Sequence, residues 1–594
     1  MRPRLKKLSI TLTALSLAAG GVVAGILTAP DALALNNGLS ITPAMGWSSW
    51  SFVRRSPTLA KMKAQAQAMH DSGLQAHGYL YVNLDDFFMK CDGNGPTVDG
   101  NGLWQLDQSK FPTGGDTLKP LADFIHGLGL KFGLYVTPGI PANAVLKNTP
   151  IAGTSFHAKD IADTSKTEKN YNCKHMYYIN YSKPGAQEYV NSFAKKYSSW
   201  GVDYLKIDGV GAQDIPDVQA WSKAVSTVTP KMNFALSNNL PIANGSTWAN
   251  LANSWRTQGD VECYCSGQPN GVGYPLTNWA HISGRFTSTA SWQQFAGPGH
   301  WNDYDSIEIG SGDQAVQTIS GVNKQDIRRT QLTLWSMAAA PLLLGTDLTL
   351  LTNPNPPADI AADKAMLFND RVIAVDQDGV AAKRIVNNSN GGMVYSKKQK
   401  DGTYVVALFN TTTSGSLSVS VNWSQVGFTG SAQVTDLWSG KSGGTVANSY
   451  SATLRPTESR LILVKPGTSS GGDSTVEAEA GSIAGAARIG TCSACSGGQK
   501  VGFIGNGAAN FVTLDVTPSA AGSRTLTISY LLSGTRSFFV SVNGGTAVEV
   551  PLTGTSFSAV STKTITVNLN AGSNSIKFFN NTAYTPDLDK ISVN

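Results

Sequence analysis

A chain of 594 residues with 41% hydrophobic and 14% charged side chains is too long for one core and too apolar for wholesale disorder, so two to four folded domains are expected. The formal net charge of +6 is small, and part of it lies in the first 34 residues, where Arg2, Arg4, Lys6 and Lys7 face Asp31 alone. What is left is scattered and excludes the basic surface that nucleic acid or an acidic membrane requires.

In chain order, a basic start precedes an apolar stretch over residues 8–27, and Ala32-Leu33-Ala34 places small residues where a signal peptidase reads. The stretch is long enough for a membrane anchor. The cleavage site and Gly20-Gly21 inside the stretch point instead to a signal peptide over 1–34, a secreted chain, and no membrane attachment after cleavage. Six cysteines in an exported chain imply disulfides. Cys492 and Cys495 are close enough for a small-loop bridge, Cys91 and Cys173 are candidates for each other, and Cys263 and Cys265 could close only a tight local ring. Sequence leaves this pairing open.

Residues 35–380 alternate short apolar runs with helical segments, the pattern of an α/β domain. Candidate strands are 44–50, 79–84, 130–136, 202–207, 233–236, 253–255, 300–301 and 341–344, with helices over 118–128 and 215–228. Eight such units predict a (β/α)8 barrel with long loops. Residues 381–466 change to short alternating strands, an antiparallel β-sandwich. Residues 467–475 are Gly- and Ser-rich and predict a linker. Residues 476–594 are again all-β and predict a second, linker-joined sandwich.

Catalytic groups of such barrels stand at the C-terminal ends of the strands. Acids cluster there: Asp85 and Asp86 after the second run, Asp208 after the fourth, Asp260 after the sixth, Asp303 and Asp305 after the seventh. Two carboxylates across a pocket are the minimum equipment for hydrolysing a glycosidic bond. Residues two apart on a strand share a face, so Lys206 and Asp208 both point inward, where the Lys charge would favour ionised Asp208. Arg256 could bond a sugar hydroxyl, and Trp47, Trp50, Tyr135 and Trp301 offer aromatic faces, at least one of them destined for the core.

These motifs carry a resemblance. Gly46-Trp47-Ser48-Ser49-Trp50, Leu84-Asp85-Asp86, Phe132-Gly133-Leu134-Tyr135, Leu205-Lys206-Ile207-Asp208, the run Ser254 to Asp260 and Gly299-His300-Trp301-Asn302-Asp303 occur in the order of glycoside hydrolase family 27. The chain resembles that family of α-galactosidases and α-N-acetylgalactosaminidases. The resemblance implies a retaining double displacement on an oligo- or polysaccharide, without a catalytic cofactor. Asp208 would be the nucleophile and Asp260 the acid/base. Trp47, Asp85, Asp86, Lys206, Arg256 and Asp303 would line the subsite of the cleaved sugar, with Tyr135 and Trp301 as aromatic walls. Where family members often carry Cys-Glu-Trp, whose Glu reads the sugar's 2-position, this chain has Ser237-Asn238-Asn239, which puts Asn238 there. The family also includes enzymes acting on β-L-arabinopyranosides and one class that releases isomaltose from dextran, so the reaction is more firmly indicated than the sugar. A catalytically silent carbohydrate-binding protein is the contrasting reading, and retention of both Asp208 and Asp260 speaks against it.

The last block, from Val476-Glu477-Ala478-Glu479-Ala480 to Asp587-Leu588-Asp589-Lys590-Ile591, resembles carbohydrate-binding modules of families 35 and 6. Such modules often hold a structural Ca²⁺ between their terminal segments, and Glu477, Glu479 and Asp589 are suitable hard oxygen ligands. The sequence carries no signal of oligomeric state.

Overall fold

The computed structural model describes residues 35, 37–267, 273–467, 474–518 and 521–593. The expected signal peptide and most of the expected linker lie outside the described residues. Among the described residues, eight parallel strands succeed one another: β1 (Met45–Ser48), β2 (Tyr81–Asn83), β3 (Lys131–Val136), β4 (Tyr204–Ile207), β5 (Asn233–Leu236), β6 (Ser254–Arg256), β7 (Trp301–Asp303) and β8 (Leu342–Leu344). The sheet curls until β8 pairs with β1. Between β7 and β8 the closure is made by Ile307, which bridges to Leu344 and donates its N–H to the Leu343 carbonyl at 2.8 Å.

Each strand is followed by a helix: α1 (Leu59–Asp71), α2 (Lys119–Gly127), α3 (Ala186–Ser199), α4 (Ile215–Ser226), α5 (Gly245–Leu251), α6 (Trp279–Trp292), α7 (Lys324–Ala338) and α8 (Ala358–Leu367). Local chemistry sets their starts: Thr58, Asn278 and Asn323 each accept a backbone N–H of the first turn of α1, α6 and α7. The outward faces of the strands are apolar because helices cover them, while the inward face also carries polar and charged side chains toward the mouth. Val82, Phe132, Leu134, Leu205 and Ile207 pack outward under the helices. Ala44, Tyr81, Tyr204, Ala235 and Leu343 form a separate cluster that plugs the interior, with the Tyr81 and Tyr204 rings 5.4 Å apart. Lys206 follows Tyr204 on the same inward face, one layer nearer the C-terminal mouth. Gly133 is required inside the barrel, since a Cβ there would collide with the Asn83 side chain.

The next unit is a six-stranded antiparallel sheet facing a two-stranded one. Its central strand, Tyr404–Asn410, is buried along its whole length, and period two explains why. Val405, Ala407 and Phe409 belong to the core shared with the barrel, whereas Tyr404, Val406 and Leu408 fill the sandwich's own core.

The last unit has a separate core, and its strands form one nine-stranded antiparallel sheet. The strand Gly522–Val542 runs through both of its halves, pairing over Leu526–Leu531 with Asp587–Val593 and over Phe539–Val542 with Asn574–Phe579. Through that strand the sheet wraps around its own core, so the expected sandwich closes into a barrel-like β unit.

Candidate active site

The C-terminal ends of β2, β4, β6 and β7 bring the acids to one mouth. Past β2, the Asp85 N–H donates to Ser49 Oγ at 2.9 Å, and Asp85 Oδ1 accepts the N–H of Asp86 at 2.9 Å. From β4, Lys206 Nζ donates to Asp85 Oδ2 at 2.7 Å. The direct partner of Lys206 is therefore Asp85 rather than Asp208, because strand β2 delivers a carboxylate at the height of the ammonium. Burial alone would depress the Lys206 ammonium, but Asp85 and Asp208 hold it charged well above the usual lysine range. Burial raises Asp85 against the pull of Lys206 and pushes Asp86 up to about 7.

Asp208 begins the turn out of β4 and accepts the Gly209 N–H at 2.8 Å. Gly209 has φ +79°, and a Cβ there would lie 3.2 Å from Lys169 Cβ, so glycine is dictated at this turn. From β6, Arg256 donates to Asp260 Oδ1 at 3.2 Å and pairs with Asp305 Oδ2 at 2.8 Å. Asp305 also accepts the Val261 N–H at 2.6 Å, fixing the loop that carries Asp260. Asp260 stands at the open side with its side chain 43% exposed. Burial would raise its carboxyl, yet Arg256, the Tyr264 hydroxyl and Lys206 outweigh that and hold it below the ordinary carboxylate value.

Two tyrosines complete the mouth, and sequence reasoning missed both. Tyr264 donates its hydroxyl to Asp260 Oδ2 and accepts Trp50 Nε1 at 2.9 Å, while the Arg54 guanidinium stacks 4.5 Å from its ring centroid. The Cys263–Cys265 disulfide flanks it on both sides, and its own φ is +47°. The signal was the Cys-Tyr-Cys triplet itself. Tyr171 lies where it feels both Asp208 and Asp260; burial first, then these charges, push its hydroxyl up to about 12. The Cys91–Cys173 bridge ties its segment to the loop after β2, and Cys492 pairs with Cys495.

The remaining expected residues divide. Tyr135 is fully buried, with Lys206 Nζ 5.6 Å from its ring, and its hydroxyl has no hydrogen-bond partner. Asp303 lines the inner cavity with Asp85, Lys206, Arg256 and Ser237, and its Oδ1 accepts the Asp305 N–H at 2.7 Å. Asn238 sits on the β5 exit loop at φ 134°, and among the described residues its side chain bonds none of the acids. Trp301 is a correction. It opens β7 rather than ending it, is fully buried, and donates Nε1 to the Ser40 carbonyl at 2.7 Å on the far side of the barrel. Trp47 is also fully buried with its Nε1 bound to the Thr346 carbonyl at 2.7 Å, so it serves as wall, not as an open platform.

Among the described residues, Asp86 Oδ2, Tyr135 Oη and Arg256 Nε are buried near the inner acids and have no hydrogen-bond partner. A carboxylate acceptor, a hydroxyl that both donates and accepts and a guanidinium donor are groups of the kind that pair with a hydroxyl-dense molecule. In the last unit Glu477 Oε2, Glu479 Oε2 and Asp589 Oδ1 are likewise buried and unpartnered. Burial first, then Glu477, raises the Asp589 carboxyl. All three are hard oxygen donors, the ligand type that calcium takes.

Comparison with known proteins agrees with this geometry. A family model described as alpha galactosidase A matches residues 42–171 and 174–378, and the alpha galactosidase C-terminal beta sandwich domain matches 389–464. An α-galactosidase of Oryza sativa is 30% identical over 441 residues, covering 73% of this chain and 87% of its own. A family 27 β-L-arabinopyranosidase from Geobacillus stearothermophilus is 29% identical with a TM-score of 0.63, over 73% of this chain and 99% of its own. An isomalto-dextranase from Arthrobacter globiformis T6 is similar in fold alone, 18% identical with a TM-score of 0.56, over 93% of this chain and 96% of its own.

Proposed function

The chain belongs to the α-galactosidase A family of glycoside hydrolases, family 27, and from that premise we propose that it is a secreted retaining exo-glycosidase releasing terminal α-D-galactosyl residues from oligo- or polysaccharides. The observation that carries this reading is the gathering of acids at the strand ends, with Lys206 paired to Asp85 and held charged by Asp85 and Asp208, and Arg256 paired to Asp260. Sugar hydroxyls would donate to these carboxylates, with Asp85 already oriented by Lys206.

In the reaction, Asp208 attacks the anomeric carbon while Asp260 protonates the departing oxygen. Asp260, then a carboxylate, takes a proton from water, and the resulting hydroxide equivalent displaces Asp208. Low-lying Asp260 makes the first step favour acid conditions. The last unit would hold the enzyme on a polysaccharide, raising its local concentration. Its exposed Phe503 and Tyr584 rings, 6.3 Å apart, supply an aromatic surface, and Glu477, Glu479 and Asp589 would hold the structural calcium.

A second reading, a β-L-arabinopyranosidase, is favoured by the likeness to the Geobacillus enzyme, which spans 99% of that chain. The two sugars share their ring configuration and differ by the hydroxymethyl group. A panel of aryl α-galactoside, α-N-acetylgalactosaminide, β-L-arabinopyranoside and α-glucoside, with dextran, tests both readings using wild type and Asp208→Asn. Preferred release from the α-galactoside, abolished by the substitution, supports the proposal. Preference for another sugar overturns the substrate, and full activity of Asp208→Asn overturns the nucleophile.

A further inference from the structure

A few residues beyond Asp208, three carboxylates converge that the reaction does not use. Glu168 closes the strand Ala162–Glu168 of the insertion between β3 and α3, Asp214 directly precedes α4, and Asp217 lies in its first turn. Their exposures are 8%, 0% and 2%, and one oxygen from each lies within 4.8 Å of the others.

The protein anchors each group by one oxygen. Glu168 Oε2 accepts the Lys169 N–H at 3.2 Å. Asp214 Oδ2 accepts the Gly211 N–H at 2.7 Å and Gln213 Nε2 at 2.8 Å. Asp217 Oδ1 accepts the Gly139 N–H at 3.1 Å and the Tyr181 hydroxyl at 2.8 Å. Among the described residues, the inner atoms Glu168 Oε1 and Asp214 Oδ1 are buried without a hydrogen-bond donor, facing each other, while the Tyr178 hydroxyl stands beside the Glu168 carboxylate. Among the same residues, Lys, Arg and His make no ion pair with any of the three; the cation that acts on them is Lys169, on Asp214.

Buried carboxylates without a counter-charge are strongly disfavoured. Oriented from outside by N–H donors and left bare within, they have the form of a ligand set, and all their atoms are hard oxygens. We infer that Glu168, Asp214 and Asp217 bind a divalent cation of the calcium type, which pins the insertion hairpin to the start of α4 and so braces the turn that carries Asp208. Without the cation, burial first and then the Asp214 charge raise Glu168, and burial takes Asp217 to about 7, so a shared proton between Glu168 and Asp214 is the competing way to relieve the charge.

Metal analysis and thermal unfolding of the full chain separate the two. The variant Glu479→Gln/Asp589→Asn removes the ligands in the last unit and isolates the barrel site. That variant should retain about one calcium ion per chain, lose several degrees of melting temperature on chelation, and regain them with added Ca²⁺. Adding Glu168→Gln should abolish both the ion and the chelator sensitivity. Terbium added to the chelated Glu479→Gln/Asp589→Asn chain should give emission sensitised by Tyr181, which keeps the test open if the Glu168 variant fails to fold. An ion-free chain whose melting temperature ignores chelator and whose terbium emission is absent would overturn the inference in favour of the shared proton.

Discussion

The hydroxyl of Tyr264 donates to the Oδ2 of Asp260, four residues earlier, from a residue bracketed by the Cys263–Cys265 disulfide. The same oxygen of Tyr264 accepts Trp50 Nε1 at 2.9 Å, so the hydroxyl hydrogen is directed at the carboxylate. This bond and Arg256 favour the charged form of Asp260.

Tyr264→Phe should therefore raise the Asp260 pKa. An acid that must be protonated for the first step is lost as pH rises through its pKa, so the alkaline limb of kcat/KM should move to higher pH. The shift should be larger on alkyl galactosides than on aryl substrates that leave without a proton. A pH–rate profile of both classes checks it; an unmoved alkaline limb would mean that Tyr264 does not act on Asp260.

Lys206→Met leaves Asp85, only 3% exposed, without its counter-charge. Breaking a buried pair costs about 3–5 kcal/mol, and the partly open Lys206 places this one near the lower end, roughly 3 kcal/mol. Urea unfolding measures it. Asp85 should be protonated more readily in the variant, and KM should rise along with the loss of stability.

Asp86 supplies a pH dependence of stability. Its carboxyl is raised to about 7 in the folded chain, chiefly by burial, against an unfolded value near ~4. The native state then binds more protons than the unfolded one, so this group's contribution is full below about 4 and is lost as pH rises toward 7. Asp86→Asn should flatten the fall in melting temperature over that window, and substrate KM should rise severalfold from the lost acceptor. Parallel melting curves for the two proteins would expose a wrong assignment.

The aromatic pair of the last unit should matter for polymers alone. Replacing Phe503 and Tyr584 by Ala should weaken adsorption to branched polysaccharide severalfold, while hydrolysis of small aryl glycosides stays unchanged. Co-sedimentation with the polymer and an aryl-glycoside assay give the two readouts.

The barrel was legible because its short strands recur as apolar-rich runs with acids at or just past their ends. Asp85, Asp86, Asp208, Asp260 and Asp303 could be found by position for that reason. Long-range pairings were not legible. Lys206 meets Asp85 from 121 residues away, and only strand order brings them level. Trp301 was misread because the start of β7 was placed one residue early, which turns a floor residue into a rim residue. Tyr171 and Tyr264 ride on insertions whose course is set by disulfides, and nothing in local pattern says where such loops return. The long strand Gly522–Val542 hid the wrapped sheet for a similar reason, since its bulge between Tyr530 and Leu532 redirects it without a turn signature.

The central claim is a double displacement through Asp208 with Asp260 as acid/base. Proton NMR during the first minutes of hydrolysis, on whichever glycoside of the panel turns over fastest, tests it without depending on the sugar's identity. The account predicts that the first product released has the substrate's own anomeric configuration and mutarotates only afterwards. Release of the opposite anomer would contradict a covalent intermediate on Asp208 and would assign the pair to single-step inversion.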